Sequence, residues 1–369
     1  MNKKQKIKIT VVTPLHIGAG REKEWVYGVD YVTDKRMAYV LNLDKLDKND
    51  LDKINDLVTL LEIKNAKELY KYLIENDLLT KISSREFKLP QISFSPIKTF
   101  LRGGIDCAPL IAGSSLKGAI RSVLFNQMRE KEDNIRAVLG DLGDKDSNPD
   151  FMRFIQVGDI HMEDKTQLFN TVVFNLQKIQ DMWQGGWKHA FKETDSGFKS
   201  GGFNTIYECL APRQSGEGTL VFQNDLFEKE CERKREQFTY PEKQQQLLDS
   251  GVVRLFEMIN NATSEFLKKE HEFFTHFNQA QRTGEIIEHI ECLQNLHADL
   301  KSQGACLLRM SAGSGFHSIT GDVEEWKYPY NVKYINWKYK VPYNKSRKIV
   351  ENGTKLQLMG FVKLELVKE

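Results

Sequence analysis

No run of about 18 uncharged apolar residues occurs in the 369-residue chain, so no stretch is suited to crossing a membrane as a helix. The opening M-N-K-K-Q-K-I-K-I-T lacks the apolar segment of a secretory signal, and a cytoplasmic protein with no membrane partner is expected. Cysteine is scarce. The five present, Cys107, Cys209, Cys231, Cys292 and Cys306, are scattered, odd in number and never spaced C-x-x-C, which argues against a disulfide framework and against a zinc cage. Nor is there an excess of charge of one sign: 53 Lys and Arg against 51 Asp and Glu leave +2, so composition alone does not announce a polyanionic partner. No cofactor is implied by any motif.

Size and a 40% hydrophobic content suit a soluble globular protein of two domains. K-I-K-I-T-V-V-T-P-L-H-I-G (6 to 18) alternates and is β-branched, so it reads as a strand ending in the turn Gly18-Ala19-Gly20. Residues 30 to 42 read as a hairpin or a second strand, Leu43 to Leu79 as helical, and Ser83 to Pro109 as Pro-bounded loop. A helix from about Ser115 to Glu130 follows, then a polar loop at 141 to 150 and two strands, F-I-Q-V-G-D-I-H-M and L-F-N-T-V-V-F-N-L. Residues 183 to 203 carry five glycines among aromatics, which suggests a mobile crossing and places a boundary near residue 200. Beyond it, strand signals at 204 to 224 precede long helical patterns from about Glu242 to Lys301, and strands return at A-C-L-L-R-M and at the C-terminus. The turns H-I-G-A-G-R (16 to 21) and S-A-G-S-G-F-H (311 to 317) echo each other weakly, a hint of duplication.

Several stretches could carry chemistry. In P-L-I-A-G-S-S-L-K-G-A-I-R (109 to 121), Gly113, Ser114 and Ser115 open the helix, and Leu116, Ile120, Val123 and Leu124 form its apolar stripe. Lys117 and Arg121 stand four apart on one face, where two like charges repel unless an anion neutralises them. With the N-terminal dipole this makes a site for a backbone phosphate, and an ordinary solvated basic face explains the pattern equally well. It is not a Walker loop, because Lys117 precedes Gly118 and no hydroxyl residue follows to hold magnesium. Gly313, Gly315, Phe316 and His317, after Arg309, would let a ligand approach the backbone closely. A similar G-x-G-Arg lies at Gly18, Gly20 and Arg21. From Trp326 to Lys348 seven aromatic residues alternate with seven cations, which suits stacked bases and phosphates, although one face of that alternation also suits a core. His16, His161 and His317 lie near strand ends, but no pair has the spacing of a general acid and base.

P-L-H-I-G-A-G, I-A-G-S-S-L-K-G-A-I-R, F-I-Q-V-G-D and S-A-G-S-G-F-H together resemble the RAMP superfamily of CRISPR proteins. Their order is most similar to members that serve as the fifth subunit of the Csm, type III-A, effector complex. The resemblance implies an α+β protein of two ferredoxin-like (RRM-like) RAMP domains with helical insertions. With the boundary above, these would be residues 1–200 and residues 201–369, the second holding the glycine-rich loop. It implies a non-catalytic, RNA-binding role in antiviral defence: capping the backbone filament at the crRNA 3′ end and supporting crRNA maturation there. Its partners would be crRNA, the adjacent backbone subunit, the small helical subunit and host nucleases. The RNA-binding residues would be Gly18, Gly20, Arg21, Ser114, Ser115, Lys117, Arg121, Arg309, Gly313, Gly315, Phe316 and His317. In the backbone subunit of that complex an Asp after the first strand cuts target RNA. Asp30 offers no match to it, so the binding role carries over and the nuclease does not. The alternative within the superfamily is a metal-independent endoribonuclease that processes precursor crRNA with a histidine such as His16 or His317.

Overall fold

The computed structural model describes residues 2–91, 96–130, 138–140, 150–163, 165–180, 182–233, 242–313, 315, 334–336, 341–342 and 345–367. The N-terminal alternation forms β1 (Lys3–Val11), with Ile7, Ile9 and Val11 in the core and lysines between them. β2 (Tyr31–Thr33) and β3 (Met37–Leu41) make the expected hairpin. Three helices follow, α1 (Leu51–Glu62), α2 (Ala66–Glu75) and α3 (Leu79–Ile82), packed around Val32, Leu57, Leu69 and Leu73.

β4 (Ser83–Lys88) lies inside the stretch that reads as loop. S-S-R-E-F-K is too polar to announce a strand, yet only Phe87 among its six residues is buried, which is what an edge strand beside β3 requires. After β5 (Arg102–Gly103) and β6 (Ala108–Ile111) comes α4 (Gly113–Met128), which starts two residues earlier than the sequence suggests. The polar loop expected at 141 to 150 lies, Asp150 apart, outside the described residues.

β7 (Ile155–Val157), β8 (Ile160–His161) and the long β9 (Thr166–Ile179) follow. Where the glycine-rich stretch suggests a mobile crossing, the structure has β10 (Met182–Lys188) and β11 (Thr194–Asp195). Its glycines serve closeness: a Cβ on Gly185 would stand 2.8 Å from the Phe277 carbonyl oxygen, and the neighbouring Trp187 is buried against Phe174. β12 (Asn204–Leu210) and β13 (Ser215–Phe222) match the strand signals there. The helices are α5 (Asn224–Arg233), α6 (Glu242–Ser250), α7 (Val252–His276) and α8 (Thr283–Ser302). The chain closes with β14 (Cys306–Arg309), β15 (Tyr334–Asn336), β16 (Val341–Pro342), β17 (Ser346–Asn352), β18 (Lys355–Leu358) and β19 (Phe361–Leu366). Most of the basic aromatic stretch lies outside the described residues, as do Phe316 and His317.

Two larger sheets result, and every ladder between named strands is antiparallel. The first runs β14-β19-β1-β13-β7; α4 and α7 pack over it through Leu116, Ile120, Leu124, Leu255 and Ile259. In the second, β10 and β12 share one edge of β9 and β17 takes the other. Its core joins Phe174 and Trp187 to Phe273 and Phe274 of α7 and Ile290 of α8. Residue 200 falls in the connection from β11 to β12, and both sheets draw strands from either side of it. The architecture is α+β. No described helix is long and apolar enough to cross a membrane.

Candidate nucleic-acid interface

Three separated motifs converge on one cavity of about 430 Å³. P-L-H-I-G supplies His16, Ile17 and Gly18. The helix of the G-S-S-L-K-G-A motif supplies Ser115, Gly118 and Ala119, spaced three and four apart and therefore one above another on a single face of α4. The end of β14 and the turn after it supply Arg309, Met310, Ser311 and Ala312, and Tyr207 of β12 completes the wall. The two glycine turns that echo each other in the sequence are neighbours in space, the Ala312 N–H donating to the His16 carbonyl at 3.3 Å. Gly313 is packed beneath Met359, where a Cβ would collide with the Met359 carbonyl oxygen.

The α4 wall holds no side chain longer than serine. Around Gly118 nothing stands within 4 Å of where a Cβ would be, so the backbone of an extended ligand can lie against this face. Arg309 is the cation of the cavity. Its guanidinium lies 4.6 Å from the Phe266 ring and 5.6 Å from that of Phe361, cation–π contacts worth about 0.5–2 kcal/mol together with their desolvation. Burial lowers its pKa to about 10, with Glu270 opposing the shift and Arg347 adding to it, so it remains charged at neutral pH.

His16 is 4% exposed. Its Nδ1 stands 2.7 Å from the Glu208 carbonyl oxygen, and since a carbonyl only accepts, Nδ1 carries the hydrogen and Nε2 the lone pair. Tyr207 meets the ring edge-on at 4.7 Å and Phe100 at 6.2 Å, which fixes its orientation. Burial, aided by Lys348 and Lys98, lowers the His16 pKa to about 4 against the opposing pull of Glu208, so the ring is neutral at pH 7. Lys348 braces the same wall: its Nζ donates to the Tyr207 hydroxyl at 2.7 Å and to the Ala312 carbonyl at 3.5 Å.

Behind His16 lies a wholly buried carboxylate. Glu208 Oε1 accepts from Arg85 (2.7 Å), Arg102 (2.6 Å) and Thr166 (2.8 Å), and Oε2 from the Phe100 N–H (2.9 Å). β12, β9, β4 and the strand segment around Phe100 are thus tied at one point, and the same residue's carbonyl holds the His16 tautomer. The network lies outside the cavity lining and positions it.

Of the sequence candidates, Gly18, Ser115 and Arg309 meet in this cavity and Gly313 lies directly behind it. Gly20, at φ 108°, and Arg21 are exposed in the next turn, and Ser114 is exposed at the start of α4. Gly315, at φ 66°, has open space around it. The anion beside Lys117 and Arg121 is one of the protein's own: Arg121 Nη1 pairs with Asp150. Burial lowers the Lys117 pKa, Asp150 opposes that shift and Arg121 adds to it. The α4 N-terminus is likewise provided for, because the Gly113 N–H donates to Asp159 of the V-G-D turn at 2.7 Å while Ala112, not a serine, is the N-cap. Asp30 accepts the Val26 N–H at 2.7 Å and closes a turn.

His16, Gly118, Ala119 and Tyr207 lie outside the list of RNA-binding candidates. Gly118 is the one local signal among them, since glycine within a helix costs about 1 kcal/mol relative to alanine. Tyr207 sits in an ordinary strand pattern with nothing to mark it. Among the described residues no three His, Cys, Asp or Glu side chains gather where they could hold a metal ion.

The sheets and glycine turns of this α+β chain thus enclose a cation, a neutral imidazole and a small-residue wall. The chain belongs to the RAMP superfamily, whose family model matches residues 8–296. No curated protein matches the sequence. Among solved structures, one chain of a cryo-EM Csm-crRNA-target RNA ternary complex of a type III-A CRISPR-Cas system is 17% identical. It superposes with a TM-score of 0.62, and the match covers 98% of this chain and 100% of that one. The crystal structure of T. onnurineus Csm5 is 19% identical, with a TM-score of 0.52 over 84% of this chain and 90% of that one. At these identities the likeness is one of fold.

Proposed function

We propose that the chain is a non-catalytic, RNA-binding RAMP subunit of a type III-A CRISPR effector complex, located at the crRNA 3′ end. There it caps the filament of backbone subunits and supports maturation of that end. The observation that carries this reading is the convergence of three distant motifs on one cavity. End-to-end likeness of fold to a chain of an RNA-containing Csm complex supports it. Its partners are then crRNA, the last backbone subunit and the small helical subunit, with host nucleases recruited for trimming, all in the cytoplasm. Gly18, Ser115 and Arg309 contact the ribose-phosphate chain within the cavity. Gly20, Arg21, Ser114, Lys117 and Gly315 extend the track, Gly313 backs it, Arg121 orders the α4 side of it through Asp150, and Phe316 and His317 are RNA-binding residues of the same glycine-rich motif.

Crosslinking of the assembled complex, read by mass spectrometry, should place RNA adducts on the turns at 16–21 and 309–315 and on α4. Adducts confined to other surfaces would overturn the assignment. Lys117→Ala should flatten the salt dependence of RNA binding by a slope of about 1 if one phosphate contact is lost.

The endoribonuclease alternative rests on His16 facing the cavity. A base whose pKa is about 4 is far from the value that suits proton abstraction at neutral pH, which favours binding. Labelled repeat RNA incubated with the protein in EDTA should stay intact, and a discrete cut lost in His16→Phe would establish the nuclease instead.

A further inference from the structure

We propose, resting on the RNA-binding reading above, that the cavity seats one nucleotide of the guide and that His16 Nε2 accepts the hydrogen bond of its ribose 2′-hydroxyl. The site would thereby select ribose over deoxyribose.

Nδ1–H is committed to the Glu208 carbonyl at 2.7 Å, and Nε2 is left as an acceptor on a ring that is 4% exposed and clamped between Tyr207 and Phe100. Nε2 has no hydrogen-bond partner among the described residues, and His16 itself lines the cavity. Residue 18 stands at the approach to it: a Cβ there would lie 3.4 Å from Nε2, and glycine leaves that approach open. An acceptor on a residue that lines the cavity, reached past a glycine, can be met by a donor from the occupant.

The donors an RNA chain can offer are few. Phosphate oxygens carry no hydrogen at neutral pH and would face a lone pair, so a phosphate belongs with Arg309 on the same cavity's cationic side. Base amino groups donate, but a guide's sequence changes from one RNA to the next, and an acceptor that serves every guide must read what does not change. The 2′-hydroxyl meets that condition and is the group that distinguishes RNA from DNA at a given site. The volume of about 430 Å³ lies within the range of small-ligand pockets, and the smooth wall of Ser115, Gly118 and Ala119 lets a sugar-phosphate backbone pass. The low basicity of His16 is consistent with a fixed acceptor that holds the hydroxyl without taking its proton.

The test compares the full chain, assembled in its complex, on an all-ribose guide and on guides bearing single 2′-deoxy or 2′-O-methyl substitutions. At one position both substitutions should weaken binding about three- to tenfold, the net effect of one hydrogen bond, since each removes the donor. His16→Phe keeps a ring and removes the acceptor. It should bind the ribose and deoxy guides alike, and His16→Gln should restore part of the preference. Circular dichroism of each variant separates loss of fold from loss of contact. If His16→Phe does not fold, the substitution scan on the unaltered protein decides alone. Indifference to the 2′ group at every position, or an undiminished preference in His16→Phe, would overturn the inference and leave the RNA-binding reading in place. Failure to bind RNA of either sugar would remove both.

Discussion

Glu208 shows how one residue organises this molecule. A carboxylate with no exposed surface is costly unless paired and fully hydrogen-bonded, and here two guanidinium groups, a hydroxyl and a backbone N–H meet it. Removing it takes from Arg85 and Arg102 the carboxylate they share. Glu208→Ala should therefore lower stability by about 3–5 kcal/mol in urea unfolding, the usual cost of breaking a buried pair from one side. Glu208→Gln, which keeps an acceptor for Phe100 and Thr166, should lose less. The backbone carbonyl survives both changes, so His16 keeps its tautomer wherever the variant folds. Equal stability of Glu208→Ala and the parent would mean that the network contributes nothing. In the sequence the only trace of it is a lone charge inside the apolar strand N-T-I-Y-E-C-L. The partners lie 42 to 123 residues away, and no spacing rule reaches them.

At the scale of the element, α4 carries two glycines whose reasons differ. Gly113 faces β7, and a methyl group there would press into the Val157 carbonyl oxygen, so Gly113→Ala should cost about 1–3 kcal/mol as overpacking against backbone. Gly118 faces open space, and Gly118→Ala should instead raise stability by about 1 kcal/mol, the difference in helix propensity. Thermal unfolding of the two variants should shift in opposite directions. A shift of the same sign in both would show that α4 does not sit against β7 as described. Such contrasts explain which elements were legible. β1, the 31–41 hairpin and the long helices α7 and α8 announce themselves because their periodicity is local. β4 was missed because edge strands dispense with apolar alternation, and β10 because its glycines look like flexibility when they serve packing. The candidate site was half legible: its glycines and Arg309 mark themselves, whereas Tyr207 and the tautomer of His16 exist only through contacts made in the fold.

For the whole molecule, the decisive pairings are those no local pattern contains. β1 lies between β13, with which it pairs from Lys3↔Phe222 to Thr10↔Ser215, and β19, with which it pairs from Ile7↔Leu366 to Val11↔Val362. The first strand is thus completed by the middle and the end of the chain, and the Phe361 N–H donates to the Thr13 hydroxyl at 2.9 Å where the two ends meet. A fragment of residues 1–200 retains β1 but neither of its neighbours. Ile7, Ile9 and Val11 would lose the cover that β13, β19 and α7 give them, a part of the about 1.5–3 kcal/mol that full burial of each contributes, and two edges would stand open. The complementary fragment, 201–369, would keep β13 and β19 with a gap between them, and β17 would lack β9. Residues 1–200 expressed alone should therefore show no cooperative unfolding transition. The two fragments expressed together should recover one, because the missing strand can be supplied in trans. A sigmoidal urea transition from residues 1–200 by themselves would mean that β1 finds partners within its own half. In that case the cavity, whose walls come from residues 16–18, 115, 118, 119, 207 and 309–312, would form by the docking of two finished units rather than by one interlaced fold.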